Sequence, residues 1–237
     1  MSERTNSQVS AGALRKVRML SSLNDDQLAT LAEQCAWSRH DSGREILTQD
    51  MTSNEVYFIC RGRVSAKTFS EKGKEITFAE LLPGDTFGEL SALDGRPRSS
   101  FVVTLEETLL ASLKANAFNA LLNQYPEAMR EMMIELTRRL READEKLFEF
   151  STLNTQNRIY AELLRLARAH PAGTNQADLN PAPTHADLAS RTNTTRESVT
   201  RALNRLKKES IIDASRQSIQ IHDVERLTLL IRDAEEE

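Results

Sequence analysis

Two short stretches of the chain carry the residue types that could do chemistry. The first is FGELSALDGRPRSS, residues 87–100. Gly88 lets backbone approach a ligand closely, and a short turn after it can aim several N–H groups at a phosphate. Arg98 adds a fixed charge with a two-pronged donor, and Ser99 adds a hydroxyl. Glu89 cannot bind phosphate, but it can accept from a sugar hydroxyl. Together these types suit a ligand with one anion and one sugar. On local composition alone, a hydrated loop with a Glu–Arg surface pair fits at least as well.

The second stretch is TTRESVTRALNRLKKESII, residues 194–212. Between Arg191 and Lys208, Arg191, Arg196, Arg201, Arg205, Lys207 and Lys208 are set against a single acid, Glu197. Thr194 with Glu197 matches a capping box, so a helix is expected to open at Thr194. That helix would bury Val199, Ala202, Leu203 and Leu206. Arg196, Glu197, Thr200 and Arg201 would then be exposed near its N-terminal end. Arginine there can pair bidentately with guanine in a major groove, and Glu197 can accept from the amino group of cytosine. Lys207, Lys208 and Arg216 are better placed for phosphates, which position without specifying. Upstream, Thr184 with Asp187 reads as another cap, with Leu188 and Ala189 the apolar side of a two-turn helix. Asn193 tolerates the positive φ of a sharp turn. Helix, tight turn and helix make a helix-turn-helix. IIDA and SIQIH, joined by a turn at Ser215–Gln217, would be its wing.

The elements that hold these stretches differ in period. From Arg44 to Leu113 apolar residues alternate, as in Val56, Phe58 and Cys60, and EKGKE around Gly73 reads as a hairpin turn. Several short strands at this spacing predict a small antiparallel sandwich or barrel, with the first stretch as a loop inside it. Ser22–Asp26 opens a short helix, and Ala115–Tyr125 forms another. Pro126 suits the first turn of a third. There Met129, Met133, Leu136, Leu140, Ala143, Leu147 and Phe150 alternate spacings of four and three, a heptad seam. Such a stripe fits a helix lying on its own domain. Its narrow, charged flanks favour a parallel homodimer. A further helix runs to about Ala169, and HPAGTNQADLNPAP reads as a loop.

Bulk composition limits the function classes. The chain has 237 residues, 39% hydrophobic and 28% charged, with a net charge of −4. It is globular, and any polyanion site must be a local patch. Two cysteines, Cys35 and Cys60, support neither a disulfide framework nor a four-cysteine cluster, and both are expected buried and reduced. No apolar run approaches the roughly 18 residues of a membrane span, so no membrane role and a cytoplasmic location are expected. No metal-spaced His/Cys cluster, nucleophile–base motif or Walker loop points to an enzyme, and no catalytic residue is assigned.

Three motifs in order carry a resemblance that covers nearly the whole chain. PGDTFGELSALDGRPRSS resembles the phosphate-binding cassette of the Crp/Fnr superfamily of bacterial transcription regulators. RRLREADEKLFEFSTLNTQNRI resembles its long dimerisation helix and hinge, and TTRESVTRALNRLKKESII its recognition helix. The resemblance implies an α+β fold in three parts. Residues 1–125 would form a cyclic-nucleotide-binding β-roll of jelly-roll type. Residues 126–153 would form the dimerisation helix, and 154–237 a winged helix-turn-helix. It further implies that Gly88, Glu89 and Leu90 line the cassette, that Glu89 holds the ribose 2′-hydroxyl, and that Arg98 and Ser99 bind the cyclic phosphate. Arg139 would brace the cassette. Arg196, Glu197 and Arg201 would read bases in double-stranded DNA, in a palindromic operator with TGTGA-like half-sites. RNA polymerase is the implied partner of an activator.

The positions that would face the base depart from the family's cyclic-AMP-binding pattern. Ala143 and Asp144 replace a threonine and a serine. Ala143 cannot hydrogen-bond adenine, whereas Asp144 suits the two adjacent donors of guanine, and Ser99 or Ser100 can reach that edge. Cyclic AMP and cyclic GMP therefore both stand as ligands. A haem or an iron–sulfur cluster is not expected: the cassette region has no histidine, and two cysteines cannot ligate a cluster. The alternative within the same fold is a ligand-independent DNA-binding regulator with a vestigial cassette.

Overall fold

The structure, a computed structural model, describes residues 11–215 and 217–232. It comprises two compact units, Met1–Leu140 and Arg141–Glu237, whose boundary falls inside one helix. Arg216, expected at phosphate, lies outside the described residues.

The first unit is a β-roll with helices at both ends. Residues 11–14 are helical, a 3-10 turn follows at Arg18–Leu20, and α1 spans Asp25–Gln34. Its cap is Asn24, which accepts from the Gln27 N–H at 2.9 Å while the Gln27 side chain accepts from the Asn24 N–H at 2.9 Å. Eight strands follow: β1 (Ala36–His40), β2 (Glu45–Leu47), β3 (Val56–Arg61), β4 (Val64–Phe69), β5 (Glu75–Leu81), β6 (Thr86–Phe87), β7 (Phe101–Thr104) and β8 (Thr108–Leu113). They form two four-stranded antiparallel sheets, in the orders β1-β8-β3-β6 and β2-β7-β4-β5. The roll therefore starts at Ala36, before the expected Arg44.

β3 shows why period two was visible. Val56, Phe58 and Cys60 join the core shared with the helices, while Ile59 points the other way, into the space between the sheets. Both faces are covered. Cys35 and Cys60 are buried free thiols, and burial pushes them up to about 12 and about 11.

The FGELSALDGRPRSS segment is not a plain loop. A helix, α2 (Glu89–Asp94), occupies its centre between Gly88 at φ 80° and Gly95 at φ 72°. Both glycines adopt the left-handed conformation that frees the chain to enter and leave so short a helix.

Two more helices complete the unit and lead out of it: α3 (Ala115–Gln124) and α4 (Pro126–Thr152). Ala128 and Met132 of α4 are buried in the roll's core, and Met129 and Leu136 pack partly against it. Met133, Leu140 and Leu147, spaced by seven residues, are 54%, 62% and 64% exposed. The apolar stripe therefore divides: Met129 and Leu136 serve the roll, and the heptad-spaced trio is left exposed.

The second unit continues from the end of α4 into α5 (Thr155–Ala169), β9 (Ala177–Leu179), α6 (His185–Arg191), α7 (Arg196–Lys208), β10 (Ile212–Ala214), β11 (Ile219–Ile221) and α8 (Val224–Arg232). Asn154 caps α5 by accepting from the Asn157 N–H at 3.0 Å. Ile159, Leu163, Leu188, Val199, Leu203 and Leu206 meet in its core. The stretch expected as loop between α5 and α6 contains β9, which pairs with β11 to make a three-stranded sheet, β10-β11-β9. Ala177 and Leu179 alternate into the core around the half-buried Asp178, a period too short to register among the surrounding Pro, Gly and Asn.

Candidate ligand and nucleic-acid sites

Between β6 and β7 the chain brings a buried acid and a buried arginine to the two ends of one segment. Glu89 is 3% exposed and Arg98 is 2% exposed. They are not a surface pair, because each is satisfied by other groups.

Backbone atoms aim Arg98. Its Nη1 donates to the Gly88 carbonyl at 2.9 Å, its Nη2 to the Glu55 carbonyl at 2.8 Å, and its Nε to the Ser53 hydroxyl at 3.1 Å. The Arg98 N–H and carbonyl are themselves pinned to Met51 and Asp50, at 3.0 Å each. A guanidinium has five N–H donors, so one on Nη1 and one on Nη2 are left over. The Glu55 carboxylate lies 3.6 Å from Nη2, beyond hydrogen-bond reach. Burial lowers the Arg98 pKa, and Tyr57, Glu55 and Glu89 oppose that. An arginine desolvated this way, with two donors in reserve, is equipped to take an oxyanion.

Gly88 is required by space as well as by φ. A Cβ there would meet Arg98 Nη1 at 2.7 Å and the Glu55 carbonyl at 2.8 Å. Tyr57, stacked on Phe87 with ring centroids 4.9 Å apart, floors the same corner.

The long helix supplies the partner of Glu89. Arg139 Nη1 donates to Glu89 Oε1 at 3.0 Å, Nη2 to the Thr86 carbonyl at 2.6 Å, and Nε to Glu135 Oε1 at 2.9 Å. Burial raises the Glu89 pKa despite the lowering pull of Arg139. Glu135 also takes both forks of Arg138, at 2.7 and 3.1 Å. Burial acts to raise its carboxyl too, but hydrogen bonds and charge from Arg138 and Arg139 hold it at about 2. Glu135 stands one helical turn before Arg139, a spacing that sequence alone offers as an ion pair. Ser53 and Glu55 had no such signal.

Leu90 and Ser99 are exposed and Ser100 is half-buried. Ala143 and Asp144, one turn beyond Arg139 on α4, are exposed in the second unit.

In the second unit α6 and α7 form the helix-turn-helix. Thr184 and Asp187 make a reciprocal capping box, and Asn193 turns at φ 51°. The cap of α7 is Thr195, which accepts from the Ser198 N–H at 3.3 Å, one residue later than Thr194. The Thr194 N–H is instead used to close the turn on the Ala189 carbonyl at 2.9 Å. Glu197 therefore sits at the second helical position and cannot reach back as a box partner. Its own backbone N–H and the Thr195 hydroxyl hold its carboxyl below the usual range.

Val199, Ala202, Leu203 and Leu206 are buried, leaving Arg196, Glu197, Thr200, Arg201, Lys207 and Lys208 exposed on α7. Two basic residues have other duties. Arg191 is turned inward, with Nη1 3.4 Å from Glu162. Lys207 donates to the Ala214 carbonyl of the wing at 2.6 Å. His185, exposed, pairs through Nδ1 with the Thr200 hydroxyl at 2.8 Å. Among the described residues no His/Cys/Asp/Glu group has the geometry of a metal site, and no helix is long and apolar enough to cross a membrane.

Residues 38–125 match the family model described as "Cyclic nucleotide-binding domain", and residues 157–230 match the "Crp-like helix-turn-helix domain". The chain is 31% identical over 184 residues to the cyclic AMP receptor protein of Thermus thermophilus, covering 78% of this chain and 82% of the relative. It is 26% identical over 199 residues to the cAMP-activated global transcriptional regulator CRP of Escherichia coli O6:H1, covering 84% and 95%. A CooA mutant from Carboxydothermus hydrogenoformans shares the fold, with a TM-score of 0.78 at 19% identity over 90% of this chain and 94% of that one.

Proposed function

Because the chain belongs to the Crp/Fnr family of DNA-binding transcription regulators, we propose that it acts as a homodimer whose affinity for DNA is set by cyclic AMP or cyclic GMP. The observation that carries this reading is Arg98, buried and held on three N–H groups by two backbone carbonyls and the Ser53 hydroxyl, with two left for a phosphate. A buried arginine aimed by two carbonyls and a hydroxyl does nothing for the roll that a packed apolar residue could not do. Its placement serves a ligand.

In this reading Gly88, Glu89, Leu90, Arg98, Ser99 and Ser100 take the phosphate and ribose, and the second oxygen of Glu89 accepts from the 2′-hydroxyl. Arg139 orients Glu89 and opposes the rise in its pKa. The base is chosen by Ala143 and Asp144, where Asp144 favours guanine. Heptad-spaced Met133, Leu140 and Leu147 meet their copies in a second chain. Arg196, Glu197, Thr200 and Arg201 read base edges in TGTGA-like half-sites, and Lys207, Lys208 and Arg216 hold phosphates. Ligand acts by population shift, favouring the arrangement in which both recognition helices reach successive major grooves. RNA polymerase is the partner if the regulator activates.

The test is calorimetric titration with each cyclic nucleotide, paired with gel shifts on a palindromic duplex. Binding of one nucleotide, a ligand-dependent shift, and loss of both in Arg98→Leu are expected. A shift of equal strength with and without nucleotide would favour the ligand-independent regulator.

A further inference from the structure

Five charged side chains from three helices meet inside the second unit, and the ligand and DNA readings use none of them. Glu162 on α5 is 3% exposed. It accepts from Arg165, one turn further along α5, and its Oε1 lies 3.4 Å from Arg191 Nη1 on α6. Arg165 also donates to Glu149 on α4 at 2.6 Å. Lys146, on the same face of α4, is surrounded by this set; burial lowers its pKa, with Glu162 and Glu149 opposing.

Arg191 is the last residue of α6. Thr192 and Asn193 follow at once as the turn, and α7 begins at Arg196. The apolar core of the unit fixes that α6 and α7 pack, but apolar contacts alone tolerate small rotations of a two-turn helix. A buried acid shared by two arginines tolerates them less, since a rotation would pull the pairs apart.

We propose that Glu162 is a positioning residue for DNA recognition: it ties Arg191, at the entrance to the recognition turn, to Arg165 and through it to Glu149, so that the recognition helix takes its orientation from the end of the long helix. The inference concerns how DNA is read and holds whether or not a nucleotide gates the protein. It also removes Arg191 from the phosphate-binding set to which its place in the basic run would assign it.

Affinities of the full-length protein are measured for a duplex it selects from a random pool and for random-sequence duplex, each over a range of salt. Glu162→Gln and Arg191→Gln are expected to cut the ratio of specific to non-specific affinity about tenfold, within the range by which residues remote from a ligand alter coupling. The salt slope on random duplex should stay unchanged. Arg191→Gln is the decisive variant should Glu162→Gln unfold, because it leaves Glu162 paired with Arg165. If it weakens both duplexes alike and reduces the slope by about 0.9, Arg191 is a phosphate contact and the proposal is wrong. An unchanged ratio in folded Arg191→Gln overturns it as well.

Discussion

Arg139 on the long helix holds Glu89 of the cassette across 3.0 Å, and Glu89 has almost no contact with solvent. The first turns of that helix thus carry the cation that a buried acid of the roll requires. Whatever takes the Glu89 carboxylate also acts on α4.

Glu89→Gln is expected to raise the melting temperature near neutral pH while abolishing nucleotide binding. Burial lifts the Glu89 pKa, so the folded state takes up a proton that the unfolded state does not. Its contribution is most favourable below the ordinary carboxylate range and declines as pH rises through the lifted value. The advantage of the glutamine should therefore shrink as pH falls from the lifted value toward about 4.5, and be gone below it. Melting curves at several pH values check the sign.

Glu135 behaves oppositely. With its carboxyl held at about 2, it stabilises the fold fully above the ordinary value, and that stability is lost as pH falls from there toward 2. Acid unfolding followed by circular dichroism should be steeper in the wild type than in Glu135→Gln over this window. Equal slopes would mean that Arg138 and Arg139 do not depend on Glu135.

Gly88→Ala is expected to lose ligand binding and to cost about 1–2 kcal/mol from the left-handed backbone alone. The new methyl must also displace Arg98 Nη1 and the Glu55 carbonyl. Denaturant unfolding measures the first effect and calorimetry the second; a variant that binds nucleotide normally would contradict the geometry.

Lys208→Ala should lower the salt slope of DNA binding by about 0.9, as expected for one phosphate contact. Lys207, committed to the Ala214 carbonyl, should change the slope less and the stability of the wing more. Binding isotherms at several salt concentrations separate the two lysines.

Much of this was legible in the order of residues, for reasons that particular positions make plain. Val199, Ala202, Leu203 and Leu206 announced the recognition helix because helical spacing and burial coincide there. Asn193 announced its turn, since few other residues accept positive φ. The cap slipped by one because Thr194 and Thr195 carry the same hydroxyl, and only the closing bond to Ala189 tells them apart. The charged run hid an exception: Arg191 points inward because a buried acid, Glu162, lies 29 positions earlier in the chain. The partners of Arg98 were out of reach for a similar reason. Two are backbone carbonyls, at Gly88 and Glu55, and a carbonyl carries no signature in the letter that names its residue.

The match to the nucleotide-binding family model starts at residue 38, yet Leu14, Val17, Leu20, Leu23 and Leu28 are among the most deeply buried side chains of that unit. Lys16 presses its carbonyl to where a Cβ of Gly84 would stand, only 2.6 Å away, and Arg18 reaches Asp85 beside the cassette. The module that sequence similarity recognises is therefore smaller than the module that folds. A gene fusion or truncation drawn at the recognised border would leave a greasy socket open to water. Moving this sensor to a new output domain means carrying the segment from Leu14 to Leu28 along with it.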